Sequence, residues 1–233
     1  MNAPRAFEAL YRGSAEPYDY SWRAAERLRH QLIAETIEGL DPRPVRVLDV
    51  GCSQGQLTFR IGPLSSMTFA MDVSPTAVAK ARERCEGAAG RFAFAVASAT
   101  ALPFDSGAFD LVVLCDGLWE WGLSAPDREA ALVEAHRLAR AGGHVLLTEY
   151  LRPKAFAGFI REVEQGPLRI LSVRYLYDRL WYQVETWFRR ARHRRAVRAV
   201  FSSLGFAQFM GGVGRLFGKH GARHICILTR KDA

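Results

Sequence analysis

The chain has 233 residues, of which 49% are hydrophobic, enough for one sizeable core and little more than one domain with an elaboration. Its formal net charge of +8 is uneven, with 15 basic and 19 acidic groups in residues 1–151 against 17 and 5 in residues 152–233. Nearly all of the basic groups are Arg, which leaves an anionic partner open. Four scattered cysteines without a Cys-x-x-Cys pair, and no His cluster at metal-ligand spacing, argue against a metal site, and no apolar leader or membrane-length run is present. The expectation is a soluble, cytoplasmic protein.

In chain order, residues 11–23 are rich in aromatics and turn formers. Residues 21–40 then read as an amphipathic helix, with Trp22, Ala25, Leu28, Leu32 and Glu35 returning on one face. From Val45 to Glu149, short apolar runs alternate with longer amphipathic stretches, the βα pattern of a doubly wound, mostly parallel α/β sheet. Five strands are expected, at 45–50, 67–71, 92–96, 109–114 and 144–149. Ser74-Pro75 and Ser124-Ala125-Pro126 mark helix starts, and Ala141-Gly142-Gly143 reads as the stop of a helix over 130–140. Residues 151–201 read as a helical insertion in which Trp181, Val184, Phe188 and Ala191 share a face, followed by a last strand pair near 206–210 and 223–229. The organisation expected is a helical lid at 1–43, a ligand-binding core at 44–151, a basic helical insertion over the crevice at 152–204, and final strands at 205–233.

The first strand ends in Asp49-Val50-Gly51-Cys52-Ser53-Gln54-Gly55, a turn of small residues leading into a helix. Small residues let the backbone approach a ligand, and the helix start offers free N–H groups. Dinucleotide enzymes use Gly-x-Gly-x-x-Gly here to hold a pyrophosphate. The spacing Gly51-x-Ser53-x-Gly55 differs, and the carboxylate of Asp49 would repel a pyrophosphate but accept a hydrogen bond from an ammonium group. An amino-acid-bearing cofactor is therefore favoured. Asp72, at the end of the second strand, can take both hydroxyls of a ribose, although alone it reads equally well as a first-turn acid before Pro75.

With these features the segment 45–148 resembles the class I, Rossmann-like S-adenosylmethionine-dependent methyltransferases. The resemblance implies a seven-stranded sheet with the final strand antiparallel, and S-adenosyl-L-methionine across the strand ends, leaving S-adenosyl-L-homocysteine as product. It places Asp49, Gly51, Ser53 and Gly55 around the methionine part, Asp72 on the ribose and Val73 on the adenine. The run from Ala97 to Asp110, with Leu102-Pro103-Phe104, is similar to the family's adenine-side segment, where Ser98 and Ala99 stand. Ser53 replaces the usual middle glycine, and Ser98 the usual acid. The segment Pro17-Tyr18-Asp19-Tyr20 and the loop are also similar to nodulation-factor N-methyltransferases, which implies an amino group on a saccharide-like acceptor and Tyr20 closing over the cofactor.

The fourth strand leads into Asp116-Gly117-Leu118-Trp119-Glu120-Trp121, where two carboxylates interleave with two indoles. Asp116 is a candidate for the cofactor amino group or the acceptor, and Glu120 for the general base. Solvated carboxylates and packing tryptophans are the competing expectation. The reaction read from all this is methyl transfer to N or O of a small molecule, saccharide-like or a secondary metabolite. In the insertion, Arg189, Arg190, Arg192, Arg194, Arg195 and Arg198 interleave with aromatics; a solvated face is one reading, and an anionic or lipid-linked acceptor another. With no separate RNA-binding module, a nucleic-acid partner is not favoured over the small molecule. An RNA methyltransferase and a non-catalytic adaptor stand as alternatives.

Overall fold

The computed structural model describes residues 3–20, 22–117, 119, 123–191 and 193–232. In chain order the elements are α1 (Ala3–Gly13), α2 (Ala24–Glu38), β1 (Arg46–Val50), α3 (Gln56–Ile61), β2 (Met67–Asp72), α4 (Pro75–Cys85), β3 (Phe92–Val96), β4 (Phe109–Cys115), α5 (Ala125–Leu138), β5 (Ala139–Tyr150), α6 (Phe156–Gln165), β6 (Arg169–Leu176), α7 (Arg179–Phe188), α8 (Arg195–Ser202), α9 (Leu204–Arg215) and β7 (His224–Arg230). The strands form one seven-stranded sheet in the order β3-β2-β1-β4-β5-β7-β6. Strands β1 to β5 pair in parallel, and β7 runs antiparallel to both β5 and β6.

The core follows from the apolar strands. Leu48 and Val112 from β1 and β4 are fully buried beside Leu138 of α5 on one face, while Val47, Leu111 and Leu146 meet Ile33 and Ile37 of α2 on the other. Burial on both faces is why these strands read as continuous apolar runs rather than alternating ones. Strand order turns outward on either side of β1, so the carboxyl ends of β1, β2 and β4 open into one crevice.

Four local expectations need correction. Helix α5 ends at Leu138, and the glycines lie inside β5 rather than stopping a helix. Gly142 has φ +71°, and the pairing with β4 shifts register between Phe109 and Leu111, so these glycines form a strand irregularity. Residues 206–210 belong to α9, started by the Ser203 hydroxyl accepting from the Phe206 N–H, and the missing strand is β6, inside the segment read as helical. In the basic segment Trp181 is fully buried but Phe188 is 48% exposed, so the face assigned to them is only half apolar contact. Finally, α2 buries Glu26, Arg29, His30, Ile33 and Ile37 towards the sheet, with Leu28 and Leu32 only half-buried. A helix with two packed sides defeats a single-face periodicity. Among the described residues, no helix is long and apolar enough to cross a membrane.

Candidate active site

The loop after β1 is held by its own backbone. The N–H groups of Gly51 and Cys52 both donate to the Met71 carbonyl, at 2.7 and 2.9 Å. Gly51, Ser53 and Gly55 all adopt positive φ, at +77°, +51° and +77°. Glycine is the usual residue in such conformations, so Ser53 carries strain where a glycine would not. Its side chain has a compensating role: Ser53 Oγ accepts from the Tyr11 hydroxyl at 2.8 Å, tying α1 to the loop.

A cavity of about 390 Å³ lies over this loop. Its floor is Val50, Gly51 and Ser53, with Asp72 and Val73 at one side, Ala97 to Thr100 at the next, and Cys115 to Gly117 at the far end. Pro4, Phe7 and Tyr11 of α1 and Tyr18 and Tyr20 complete it. Asp72 is fixed by accepting from the Ser74 and Ser53 N–H groups, each at 2.9 Å. Burial pushes its carboxyl up, and those backbone bonds only partly oppose the shift. Ser98, at the place of the usual acid, shares a 2.9 Å hydrogen bond with the Thr100 hydroxyl.

Two of the residues assigned to the methionine part stand elsewhere. Asp49 is 1% exposed, beneath the loop, where its Oδ2 accepts from the Thr58 hydroxyl at 2.6 Å and its Oδ1 has no hydrogen-bond partner. Burial raises its pKa to about 6 against the pull of Thr58. Gly55 does not line the cavity: a Cβ there would stand 2.9 Å from the Ala81 Cα, so this glycine serves the close contact of α3 with α4.

A second cavity of about 440 Å³ adjoins the first and shares Tyr18, Tyr20 and Asp116 with it. Its wall combines Trp22, Tyr150, Tyr182 and Phe201 with Arg23, Glu26, Glu185 and His224. Asp116 stands at the seam with φ +51°, an uncommon backbone conformation of the kind that collects at functional sites. Its carboxylate meets Arg29 at 2.7 Å and His224 Nε2 at 3.5 Å. Burial disfavours its charge, yet Arg29 and His224 outweigh that and hold it well below the carboxylate range. Glu26 bonds Arg29 at 2.9 Å, and Arg29 donates to His30 Nε2 at 3.2 Å, which fits the neutral ring that burial and Arg29 impose on His30. His224 also donates to Asp178; burial works against its charge, but Asp178 and Asp116 raise its pKa to about 10. Glu185 is bound by Arg23 through both oxygens.

Sequence reasoning missed Glu26, Arg29, Asp178 and His224. The available signal was weak: three polar residues, at 26, 29 and 30, share one side of a helix. Of the expected acceptor residues, Trp119 donates its indole N–H to Glu162 at 2.9 Å and packs edge-on against Phe159, facing α6 rather than the cavity. Glu120 and Trp121 lie outside the described residues.

A family model described as a methyltransferase domain matches residues 47–143. A ubiquinone/menaquinone biosynthesis C-methyltransferase of Methylobacterium nodulans is 35% identical over 113 residues, covering 46% of this chain and 43% of that protein. The 27-O-demethylrifamycin SV methyltransferase of Amycolatopsis mediterranei is 29% identical over 137 residues, covering 55% and 49%. The chain thus spans about half the length of these relatives. Among solved structures, the N-methyltransferase NodS of Bradyrhizobium japonicum, in complex with S-adenosyl-L-homocysteine, superposes with a TM-score of 0.71 over 100% of both chains, at 14% identity. Residues 47–143 are thus similar to methyltransferase domains, and the seven-stranded sheet that holds them shares its fold with the NodS structure.

Proposed function

We propose that the protein is an S-adenosylmethionine-dependent N-methyltransferase acting on an amine of a small, saccharide-like molecule. The first cavity suits the cofactor: Asp72 with Val73 for the ribose and adenine, Ser98 and Ala99 beside the adenine, Gly51 and Ser53 for the amino-acid end, and Tyr20 as cover. Bound there, the cofactor supplies a methyl group on a sulfonium centre, open to in-line displacement.

The observation that carries the choice of nitrogen is the state of the second cavity's ionisable groups. Glu26 and Asp116 are committed to Arg29 and Glu185 to Arg23, while His224 is held protonated. Among the described residues, none of these four is free to take a proton from an alcohol. An amine needs no such base if it arrives neutral. Its lone pair forms the N–C bond as the C–S bond breaks, the sulfur keeps the electron pair, and the product ammonium then loses its proton to solvent. Tyr18, Tyr20 and Tyr182 line the cavity, where aromatic rings favour the positive charge that develops on nitrogen. Asp116 in this reading is a positioning residue at the seam.

Calorimetry is expected to show S-adenosyl-L-homocysteine binding that Asp72→Ala weakens by more than about 1 kcal/mol, the scale of a lost charge-assisted hydrogen bond. Labelled methyl donor with paired amino and hydroxy sugars is expected to mark nitrogen, at a rate that rises with pH as the amine deprotonates. Absence of cofactor binding, or product labelled on oxygen, overturns the reading.

A further inference from the structure

The acceptor cavity continues into another of about 500 Å³, the two sharing Tyr150, Tyr182 and Thr186. Charge changes sign across that seam. The acceptor side holds Asp19, Glu26, Asp116 and Glu185 with Arg23 and His224, whereas the far side holds Arg152, Lys154, Arg179, Arg223 and His220, with no Asp or Glu among its described lining. Arg223 is built in: its backbone N–H donates to Asp178 Oδ1 at 2.9 Å, and its guanidinium lies 4.1 Å from the centre of the Tyr150 ring. Its Nε is buried without a hydrogen-bond partner, a state that buried donors rarely keep unless a ligand or water meets them. Arg179 is anchored beside it, donating to the His220 carbonyl at 2.8 Å.

We propose that this basic cavity is a subsite for an anionic group, a phosphoryl, sulfate or carboxylate, on the same acceptor whose amine enters the acidic cavity. The inference rests on the acceptor reading given above and narrows it to amines that carry an acid. Planar guanidinium forks match the oxygens of such groups, and the two tyrosines and the threonine shared by both cavities face the body of the molecule between its two charged ends. The exposed arginines at the start of α8 play no part: Arg194 and Arg195 line neither cavity.

Calorimetric titration of inorganic phosphate at fixed ionic strength, with and without S-adenosyl-L-homocysteine, tests the site. Saturable binding is expected, weakened about tenfold or more by Arg179→Gln/Arg223→Gln with cofactor-product affinity unchanged. Arg223→Lys, which keeps the charge but not the fork, is expected to lose less, and it decides the matter if the double variant does not fold. Glucosamine 6-phosphate is expected to bind more tightly than either phosphate or glucosamine. Phosphate binding that survives the double variant, or that Arg194→Gln/Arg195→Gln removes equally, overturns the subsite. Equal affinity for phosphate and glucosamine 6-phosphate overturns its link to the amine cavity. Failure of the wild type to bind S-adenosyl-L-homocysteine sinks the methyl-transfer reading instead and leaves phosphate to decide the subsite by itself.

Discussion

Gly51 and Gly55 share φ +77° but do different things. Around Gly51 a Cβ would meet nothing within 4 Å, and the residue lines the first cavity; around Gly55 it would meet Ala81 at 2.9 Å. Both alanine variants carry the left-handed backbone penalty of about 1–2 kcal/mol. Gly55→Ala adds overpacking of about 1–3 kcal/mol against α4, because the added methyl would press on the Ala81 backbone. Urea unfolding is therefore expected to show a loss of about 2–5 kcal/mol for Gly55→Ala and the smaller penalty alone for Gly51→Ala, whose main effect should fall on S-adenosyl-L-homocysteine affinity. Equal destabilisation by the two would show that α4 gives way to the added methyl.

At the scale of elements, α1 covers one side of the first cavity. Polar ties hold it to α4 and the loop: Glu8 accepts from the Ser74 and Thr76 hydroxyls at 2.6 and 2.7 Å, and Lys80 donates to the Tyr11 and Ser14 carbonyls at 2.7 and 2.8 Å. The Ser74 and Thr76 hydrogen bonds hold the Glu8 carboxyl at about 2, so the tie is intact at neutral pH. Glu8 also places negative charge at the N-terminus of α4, where the helix dipole favours it. A cover held by such ties should open more often when one of them is removed. Stopped-flow displacement is expected to show several-fold faster release of S-adenosyl-L-homocysteine from Glu8→Ala, with little change in the unfolding midpoint. Unchanged release would mean that α1 does not gate the cavity.

Across the whole molecule, one buried ionic chain joins segments far apart in sequence. Glu26 and Arg29 of α2, Asp116 after β4, Asp178 after β6 and His224 at the start of β7 meet at the boundary of the two cavities. With its folded pKa raised to about 10 by Asp178 and Asp116, His224 gives a stabilisation fully present below the unfolded value near 6.5. Above that pH the unfolded chain loses the proton while the folded one keeps it, so the contribution declines and is gone above about pH 10. Urea unfolding measured from pH 7 to 9.5 is expected to show wild-type stability falling with pH, and His224→Gln is expected to lose stability at pH 7 and to show a flatter slope. Parallel slopes would show that the ring is neutral in the fold.

What the sequence determined by itself were the features governed by neighbours within a few residues. The five strands up to Glu149, the capped helix starts at Ser74 and Ser124, and the glycine-bearing loop with Asp72 after it are local patterns, and the structure puts Gly51, Ser53, Asp72, Val73, Ser98, Ala99, Asp116 and Tyr20 around one cavity. Gly55 and Asp49 show the limit of motif reading: one faces a helix and the other lies beneath the wall. Only the tertiary structure decided β6, the buried polar side of α2 and the second and third cavities. Strand β6 exists because β7, placed by its pairing with β5, offers it an edge. Arg29 and Glu26 can be buried because Asp116 and Tyr182 arrive from elsewhere in the chain to meet them. Charges placed in a core are tolerated only when paired, and no local pattern announces a partner that folding alone brings into reach.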